Sequence, residues 1–222
     1  MKTSLGAKEL GAYVAAQANA FFPDPAPLAA DDVVALLPHT LGWVERCFGA
    51  IRKKYFHEDG APVFSHLHSD QYAMFLYMLA NTAGKAGAEA VATKAFLLNK
   101  ALHGIDAFYA VQLPEVFLFV HPIGTILGNA RYGDYFTVYQ NCTVGAEEDG
   151  VYPEFGDGAI LYARAAVIGR SRLGRNVTVG ANAFLLNATI PDDSVVVGAY
   201  PQLKVTPNGL SFLDRKFRDA PP

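Results

Sequence analysis

The chain has 222 residues, a hydrophobic content of 51%, a formal net charge of -3 and a pI near 6.0. A chain of this length and composition can bury a sizeable core, in one large domain or two modest ones. Because phosphate binding needs clustered Lys and Arg, the weakly acidic balance argues against a nucleic-acid or anionic-membrane surface. Small neutral or anionic partners remain open.

Cysteine usage and the distribution of apolar runs indicate the compartment. The two cysteines, Cys47 and Cys142, are far apart on differently patterned segments, so neither a disulfide framework nor a zinc knuckle is indicated. The first ten residues carry Lys2, Lys8 and Glu9 without a following apolar core, so we expect no signal peptide. The longest apolar runs are too short to span a bilayer. These features predict a soluble cytoplasmic protein.

The first half of the chain is predicted to be helical. A helix follows a cap at Thr3 or Ser4 and stops at the Pro-rich residues 22–25. A second helix begins at Asp31 or Asp32, has a kink or break at Pro38 and ends in the basic residues 52–54. A third helix, over residues 70–83, is apolar around most of its circumference and should be buried on several sides. A fourth covers residues 88–103 and ends at Gly104. Residues 1–105 are therefore predicted to form an all-α domain.

Residues 57–69 are predicted to form a polar connection between the second and third helices. The loop is rich in ionisable side chains, which favours a solvated or substrate-facing role, and Asp59 is a candidate substrate-binding residue. His66, His68 and Asp70 could be drawn as a metal site. Alternate residues of any extended segment share a face, however, so we prefer the loop interpretation and predict no metal.

The second half of the chain has a period of six residues. All members of this series except Arg131 are apolar or Thr, and the series consists of Leu113, Phe119, Thr125, Arg131, Thr137, Thr143, Phe155, Leu161, Val167, Leu173, Val179 and Leu185. A six-residue period predicts a parallel β-helix, in which one hexad supplies one short strand and one corner. Small residues four places after the repeat position, such as Ala159 and Ala165, suit the inside of a corner.

An acidic insertion interrupts the period at residues 146–153, and the phase of the repeat appears unchanged on either side of it. We therefore predict a loop extruded from the coil, and such loops often carry binding groups. The coil is expected to cover residues 106–203 and to end after Ile190-Pro191-Asp192-Asp193-Ser194. Residues 204–222 are predicted to be a polar, solvated tail.

This arrangement resembles the serine O-acetyltransferases of the hexapeptide acyltransferase superfamily. The resemblance rests on the order of helices, hexapeptide coil, extruded loop and terminator. It is most specific in residues 121–128 (His-Pro-Ile-Gly-Thr-Ile-Leu-Gly) and 137–145 (Thr-Val-Tyr-Gln-Asn-Cys-Thr-Val-Gly). The implied fold is α+β, with an N-terminal all-α helical domain followed by a left-handed parallel β-helix. The handedness comes from the resemblance, because parallel connections are otherwise right-handed.

The resemblance also implies an activity and its residues. His121 falls on the general base of the family, and Asp106 on the carboxylate that partners it. Such a pair would deprotonate an acceptor hydroxyl that attacks the thioester of acetyl-CoA. Asp106 could equally be a polar residue that ends the fourth helix. His103 is a rival partner for His121, although a cation at a helix C-terminus is the simpler interpretation.

The remaining contacts are expected on the coil and the loop. Ala163 and Ala181 match the positions where the pantetheine passes, and Lys204 is a candidate for the CoA phosphates. Glu148 and Tyr152 on the extruded loop are candidates for the acceptor site. The family further implies a homotrimer, with acetyl-CoA between neighbouring subunits, and the helical domains would allow two trimers to pair.

One departure from the family concerns the acceptor. The extruded loop of serine acetyltransferases carries an Arg-His pair that holds the amino-acid carboxylate, and the matching residues here are Val151-Tyr152. An aspartate that precedes the catalytic His in the family is Val120 here. A sugar or polysaccharide O- or N-acetyltransferase is therefore an alternative to a serine-like acceptor. A non-catalytic β-helix scaffold is a second alternative, whereas a zinc lyase needs three His and this coil supplies one.

Overall fold

The computed structural model describes residues 1–218, and five α-helices account for most of the first half. These are α1 (Ala7–Phe21), α2 (Ala30–Val34), α3 (Leu37–Ala50), α4 (Ser69–Lys85) and α5 (Glu89–His103). The predicted break at Pro38 is confirmed, because Pro38 occupies the first turn of α3, where its missing N–H costs nothing. Gly104 ends α5 with a left-handed φ of 63°, as predicted.

Helix α4 is the centre of the helical half. Residues 70–81 of α4 are all buried, and they include Tyr77, which is 1% exposed. The Tyr77 hydroxyl donates to the Val111 carbonyl at 2.7 Å, which satisfies its polar group inside the core. The predicted all-round burial of α4 is thus confirmed. A helix enclosed in this way is a rigid support for anything positioned by its ends.

A small sheet lies where the sequence predicted only a loop. It consists of β1 (Lys2–Thr3), β2 (His57–Glu58) and β3 (Ala61–Phe64), in the order β1-β3-β2, and a 3-10 turn (Lys54–Phe56) precedes it. Strand β1 pairs in parallel with β3, joining Lys2 to Val63. Such long-range pairing of two short segments leaves no periodic signal in the sequence, which explains why the loop prediction was wrong here.

The second half is a parallel β-helix with short strands. These are β4 (Asp106–Ala107), β5 (Phe117–Phe119), β6 (Ile126–Leu127), β7 (Phe136–Val138), β8 (Thr143–Gly145), β9 (Glu154–Phe155), β10 (Ile160–Leu161), β11 (Ala166–Ile168), β12 (Arg172–Leu173), β13 (Thr178–Val179), β14 (Phe184–Leu186), β15 (Thr189–Ile190) and β16 (Ser194–Ala199). They form three walls. The first contains β4-β6-β8-β11-β14, the second β5-β7-β10-β13-β16 and the third β9-β12-β15.

The register of the walls confirms the hexapeptide period after the extruded loop and corrects it before the loop. Leu161 lies opposite Val179, which is 18 residues away and so three hexads. Across the loop, however, Leu161 lies opposite Val138, a separation of 23 residues. The insertion therefore adds five residues rather than six. The prediction that the phase continues unchanged is therefore wrong by one position. Leu161 and Val167 lie opposite Val138 and Val144 rather than opposite Thr137 and Thr143.

The prediction of a solvated tail is also wrong for residues 204–218, while residues 219–222 lie outside the described part of the chain. Strand β17 (Gln202–Pro207) forms an antiparallel hairpin with β16, and a short helix α6 (Phe212–Arg215) follows it. The side chain of Phe217 is completely buried, and an isolated bridge joins Phe217 to Ile51 in the helical half. Gly158 is required beneath α6, because a Cβ there would lie 2.0 Å from the Phe212 ring. Burial of these aromatic side chains therefore holds the tail against the rest of the protein, including the helical half.

Within residues 1–218, each helix falls short of the length and apolarity needed to cross a membrane.

Candidate active site

His121 lies at the corner that follows β5, between the second and first walls of the β-helix. Its backbone has a left-handed φ of 49°, an uncommon conformation for a residue with a side chain. Its carbonyl accepts a hydrogen bond from Ile123 N at 2.8 Å. The side chain is 75% exposed, so the imidazole projects from the coil. The corner therefore presents the imidazole ring at the surface of the chain.

Asp70 holds this corner from the helical half. It occupies the first turn of α4, and its side chain is only 6% exposed. One carboxylate oxygen, Oδ1, accepts the backbone N–H of His121 at 3.1 Å and lies 3.6 Å from Nδ1 of the same residue. A carboxylate on this side of the ring favours the tautomer with its proton on Nδ1 and stabilises the imidazolium. The other ring nitrogen, Nε2, is then left to accept a proton.

Asp106, the predicted partner of His121, is engaged elsewhere. It lies in β4, where its backbone N–H donates to Thr125 O, and its carboxylate pairs with Lys100 at 2.6 Å. Among residues 1–218, the carboxylate within ion-pair distance of His121 is that of Asp70. The physical reason is that β4 belongs to the first wall, whereas His121 follows a strand of the second. The N-terminus of α4 packs against that second wall.

His103, the rival partner, is half-buried at the end of α5. Burial lowers its pKa to about 4, although the charge of Asp70 acts in the opposite direction. Its Nδ1 lies 2.8 Å from Asn99 Oδ1, and the Asn99 amide donates to Ala73 O at 2.9 Å. The lowered pKa does not favour the expected cation at the C-terminus of α5, because part of the imidazole is removed from water.

The three residues predicted to contact CoA lie along one edge of the β-helix, where two of its walls meet. The carbonyl of Ala163 accepts from Asn182 N at 3.0 Å, which places Ala163 and Ala181 on the same corner in successive turns. This is the edge between the second and first walls, the one on which His121 lies. Lys204 is exposed on β17 opposite Val197, which packs against Gly180, so it lies at the far end of the edge.

The extruded loop lies on a different edge from His121. It connects β8 of the first wall to β9 of the third. Tyr152 packs against the coil, since a Cβ on Gly128 would lie 2.4 Å from its Cε1 atom. Glu148 is exposed at the loop tip, and the neighbouring Asp149 pairs with Arg170 at 2.5 Å. Within one chain, neither Tyr152 nor Glu148 is brought to His121.

Asp59 and the two histidines of the possible metal site, His66 and His68, each contact other residues in the first half of the chain. Asp59 lies in the turn between β2 and β3, is exposed, and pairs with Lys2 at 3.2 Å. Nδ1 of His66 is 2.8 Å from the Ser4 hydroxyl, while His68 caps the start of α4. Residues 1–218 contain no cluster of three or more metal-ligating side chains.

Sequence reasoning did not assign Asp70 to the active site. The sequence indicated only that Asp70 begins the third predicted helix and that it could join His66 and His68 in a metal site. The first turn of α4 gave no signal for a contact with a corner in another half of the chain. An acidic residue at the N-terminus of a helix normally needs no further explanation than the helix dipole.

Comparison with known proteins shows how this architecture is used elsewhere. No protein-family model matches the chain. A curated serine acetyltransferase from Staphylococcus xylosus is 29% identical over 131 residues, which cover 57% of this chain and 60% of the relative. The chain thus matches about three fifths of the length of that relative.

Solved structures extend the likeness to the whole fold. A serine acetyltransferase of Neisseria gonorrhoeae in complex with serine superposes with a TM-score of 0.68 at 21% identity, covering 89% of this chain and 83% of the other. The chain has the fold of the serine acetyltransferases. A further serine acetyltransferase, in complex with CoA, gives a TM-score of 0.65 at 16% identity and covers 89% of this chain and 85% of the other. The predicted helical domain and left-handed β-helix of that fold are confirmed.

Proposed function

We propose that the protein is an acetyl-CoA-dependent O-acetyltransferase in which His121 is the general base. The observation that carries the proposal is the contact of His121 with buried Asp70 on the edge that also bears Ala163 and Ala181. His is the side chain whose ordinary pKa suits proton transfer near neutral pH. The similarity to curated serine acetyltransferases supports the same reaction.

The reaction uses both nitrogens of the His121 ring. Nδ1, beside Asp70, keeps its proton, while Nε2 accepts the proton of the acceptor hydroxyl as its oxygen attacks the thioester carbonyl. A tetrahedral intermediate forms and then expels the CoA thiolate. The imidazolium returns its proton to the leaving sulfur, which gives free CoA and an acetate ester. Asp70 stabilises the imidazolium between the two transfers.

We assign the pantetheine to the edge that carries Ala163 and Ala181, with Lys204 at its phosphate end. Small side chains at these positions leave the backbone of the corner accessible. Because the extruded loop lies on another edge, Tyr152 and Glu148 would reach His121 only from a second copy of the chain. This supports a homotrimer with a site between subunits, and the helical halves would allow two trimers to pair. Asp106 and Asp59, which pair with Lys100 and Lys2, have no assigned role in this reaction.

The proposed acceptor is a small hydroxy compound such as serine, and we place the protein in the cytoplasm. Cys47 and Cys142 are both free and buried, which fits a reducing compartment. The test is release of free CoA from acetyl-CoA with serine, other hydroxy amino acids and nucleotide sugars as acceptors. His121→Ala should lose transfer while acetyl-CoA binding and oligomeric state are retained. Full turnover by this variant would contradict the proposal.

A further inference from the structure

Two lysines from distant parts of the chain lie on neighbouring segments near the proposed site. They are Lys53, which follows α3, and Lys216, which follows α6, and we call them the lysine pair. The Arg52 N–H donates to Lys216 O at 2.8 Å, so the two segments run side by side. Both lysines are half-buried. The tail that sequence analysis placed in solvent thus supplies one member of the pair.

The side chain of Lys216 reaches over the β-helix. Its Nζ donates to the Tyr139 hydroxyl at 2.6 Å and lies 5.1 Å from the centre of the same ring. Tyr139 directly follows β7, and the Val120 N–H donates to Val138 O at 2.9 Å. Val120 immediately precedes His121. The Lys216 ammonium is therefore anchored one turn along the coil from the proposed general base.

The lysine pair has an excess of positive charge. Within residues 1–218, neither ammonium has a carboxylate within 4.0 Å. Burial, and after it the charge of Lys216, lowers the pKa of Lys53, while Asp70 acts in the opposite direction. Asp70 itself is already committed to His121. Two like charges on half-buried side chains of neighbouring segments favour the binding of an anion.

We infer that Lys53 and Lys216 bind the carboxylate of the acceptor during acetyl transfer. This inference rests on the proposed function and deepens it. The extruded loop lacks the Arg-His pair that serves this purpose in the resembling enzymes, and Val151 and Tyr152 carry no positive charge in its place. Lys216 is anchored to Tyr139, whose backbone neighbours the corner of His121 in the next turn, and Lys53 on the adjacent segment supplies a second donor. The acceptor class is thus a hydroxy acid or hydroxy amino acid.

The experiment compares L-serine with L-serinamide, which keeps the hydroxyl and amine but lacks the carboxylate. Binding of each is measured by calorimetry, and KM and kcat for each are measured by CoA release. The variants are Lys53→Met and Lys216→Met in the full chain. The matched control is Lys54→Met, because Lys54 is the exposed neighbour of Lys53 and lies 5.1 Å from the Tyr55 ring.

The inference expects the wild-type protein to bind L-serine more tightly than L-serinamide. Each variant of the pair should weaken L-serine binding and raise its KM by about ten- to a hundredfold, as loss of a charge-assisted hydrogen bond does. The KM for L-serinamide and acetyl-CoA should change less than about threefold. Lys54→Met should behave as wild type. A normal circular dichroism spectrum and melting temperature exclude misfolding as the cause.

Three outcomes would overturn the inference. The first is equal binding of L-serine and L-serinamide by the wild type. The second is an unchanged KM for L-serine in both variants. The third is a raised KM for acetyl-CoA alone, which would assign the lysine pair to the CoA phosphates. Carboxylate-dependent binding without any acetyl transfer would uphold the inference and contradict the proposed function, so the two failures are distinguishable.

Discussion

The carboxylate of Asp70 contacts both the backbone N–H and the imidazole ring of His121. A single carboxylate oxygen accepts the backbone N–H at 3.1 Å and lies 3.6 Å from Nδ1. The first contact holds a corner whose φ of 49° is unfavourable for a residue with a Cβ, and the second orients the imidazole. The N-terminus of α4 therefore positions the proposed base, which links the helical half directly to the chemistry of the coil.

Asp70→Asn should lower kcat by about 100-fold or more, because an amide can still accept the backbone N–H but does not stabilise an imidazolium. The control is Asp106→Asn, which should change kcat less than about threefold, since Asp106 pairs with Lys100. The measurement is CoA release at saturating substrates. A larger loss in Asp106→Asn than in Asp70→Asn would show that the carboxylate partner lies where the family pattern places it.

Protonation of His103 should lower the free energy of unfolding of the protein in mild acid. Its pKa is about 4 in the folded protein, below the ordinary value of 6.5, so the unfolded chain binds more protons between these values. The free energy of unfolding should thus fall as the pH drops from about 6.5 to about 4, by no more than about 3 kcal/mol from this residue.

His103→Gln removes the titrating ring but keeps a polar group beside Asn99. Urea unfolding of this variant should show a smaller decrease between pH 6.5 and pH 4 than the wild type. A pH dependence identical to that of the wild type would mean that His103 is not the group that takes up the proton.

Phe217→Ala should destabilise the protein by about 3–5 kcal/mol, because it empties a completely buried site between the tail and the helical half. The change should also raise the KM for L-serine, since it releases Lys216. Leu210→Ala is the control, as Leu210 is 60% exposed on the same tail, and it should cost less than about 0.5 kcal/mol. Equal free energies of unfolding for the two variants would contradict the docked tail.

Both thiols should be unreactive in the native protein. Burial raises the pKa of Cys47 to about 12 and also raises that of Cys142, and the thiolate is the reactive form. Labelling with a disulfide reagent at pH 8 should be slow in buffer and complete in denaturant. Rapid labelling of either cysteine without denaturant would argue that its segment opens readily.

The sequence by itself determined the helices and the coil. Helix ends at Pro38 and Gly104 and the hexapeptide spacing are local signals, since backbone geometry and burial repeat with a fixed period in each element. The repeat shows His121 only as a histidine among apolar residues, whereas its assignment as the base comes from the resemblance to serine acetyltransferases.

The tertiary structure alone decided which groups surround His121. The spacing between Asp106 and His121 fits the family. Strand pairing, however, places Asp106 within the first wall of the β-helix and His121 at the corner that follows a strand of the second wall. Asp70, Lys53 and Lys216 reach the corner through the packing of α4 and through the burial of Phe217, contacts between residues far apart in the chain. Such contacts depend on how apolar surfaces fit together, and that fit has no period that a sequence can display.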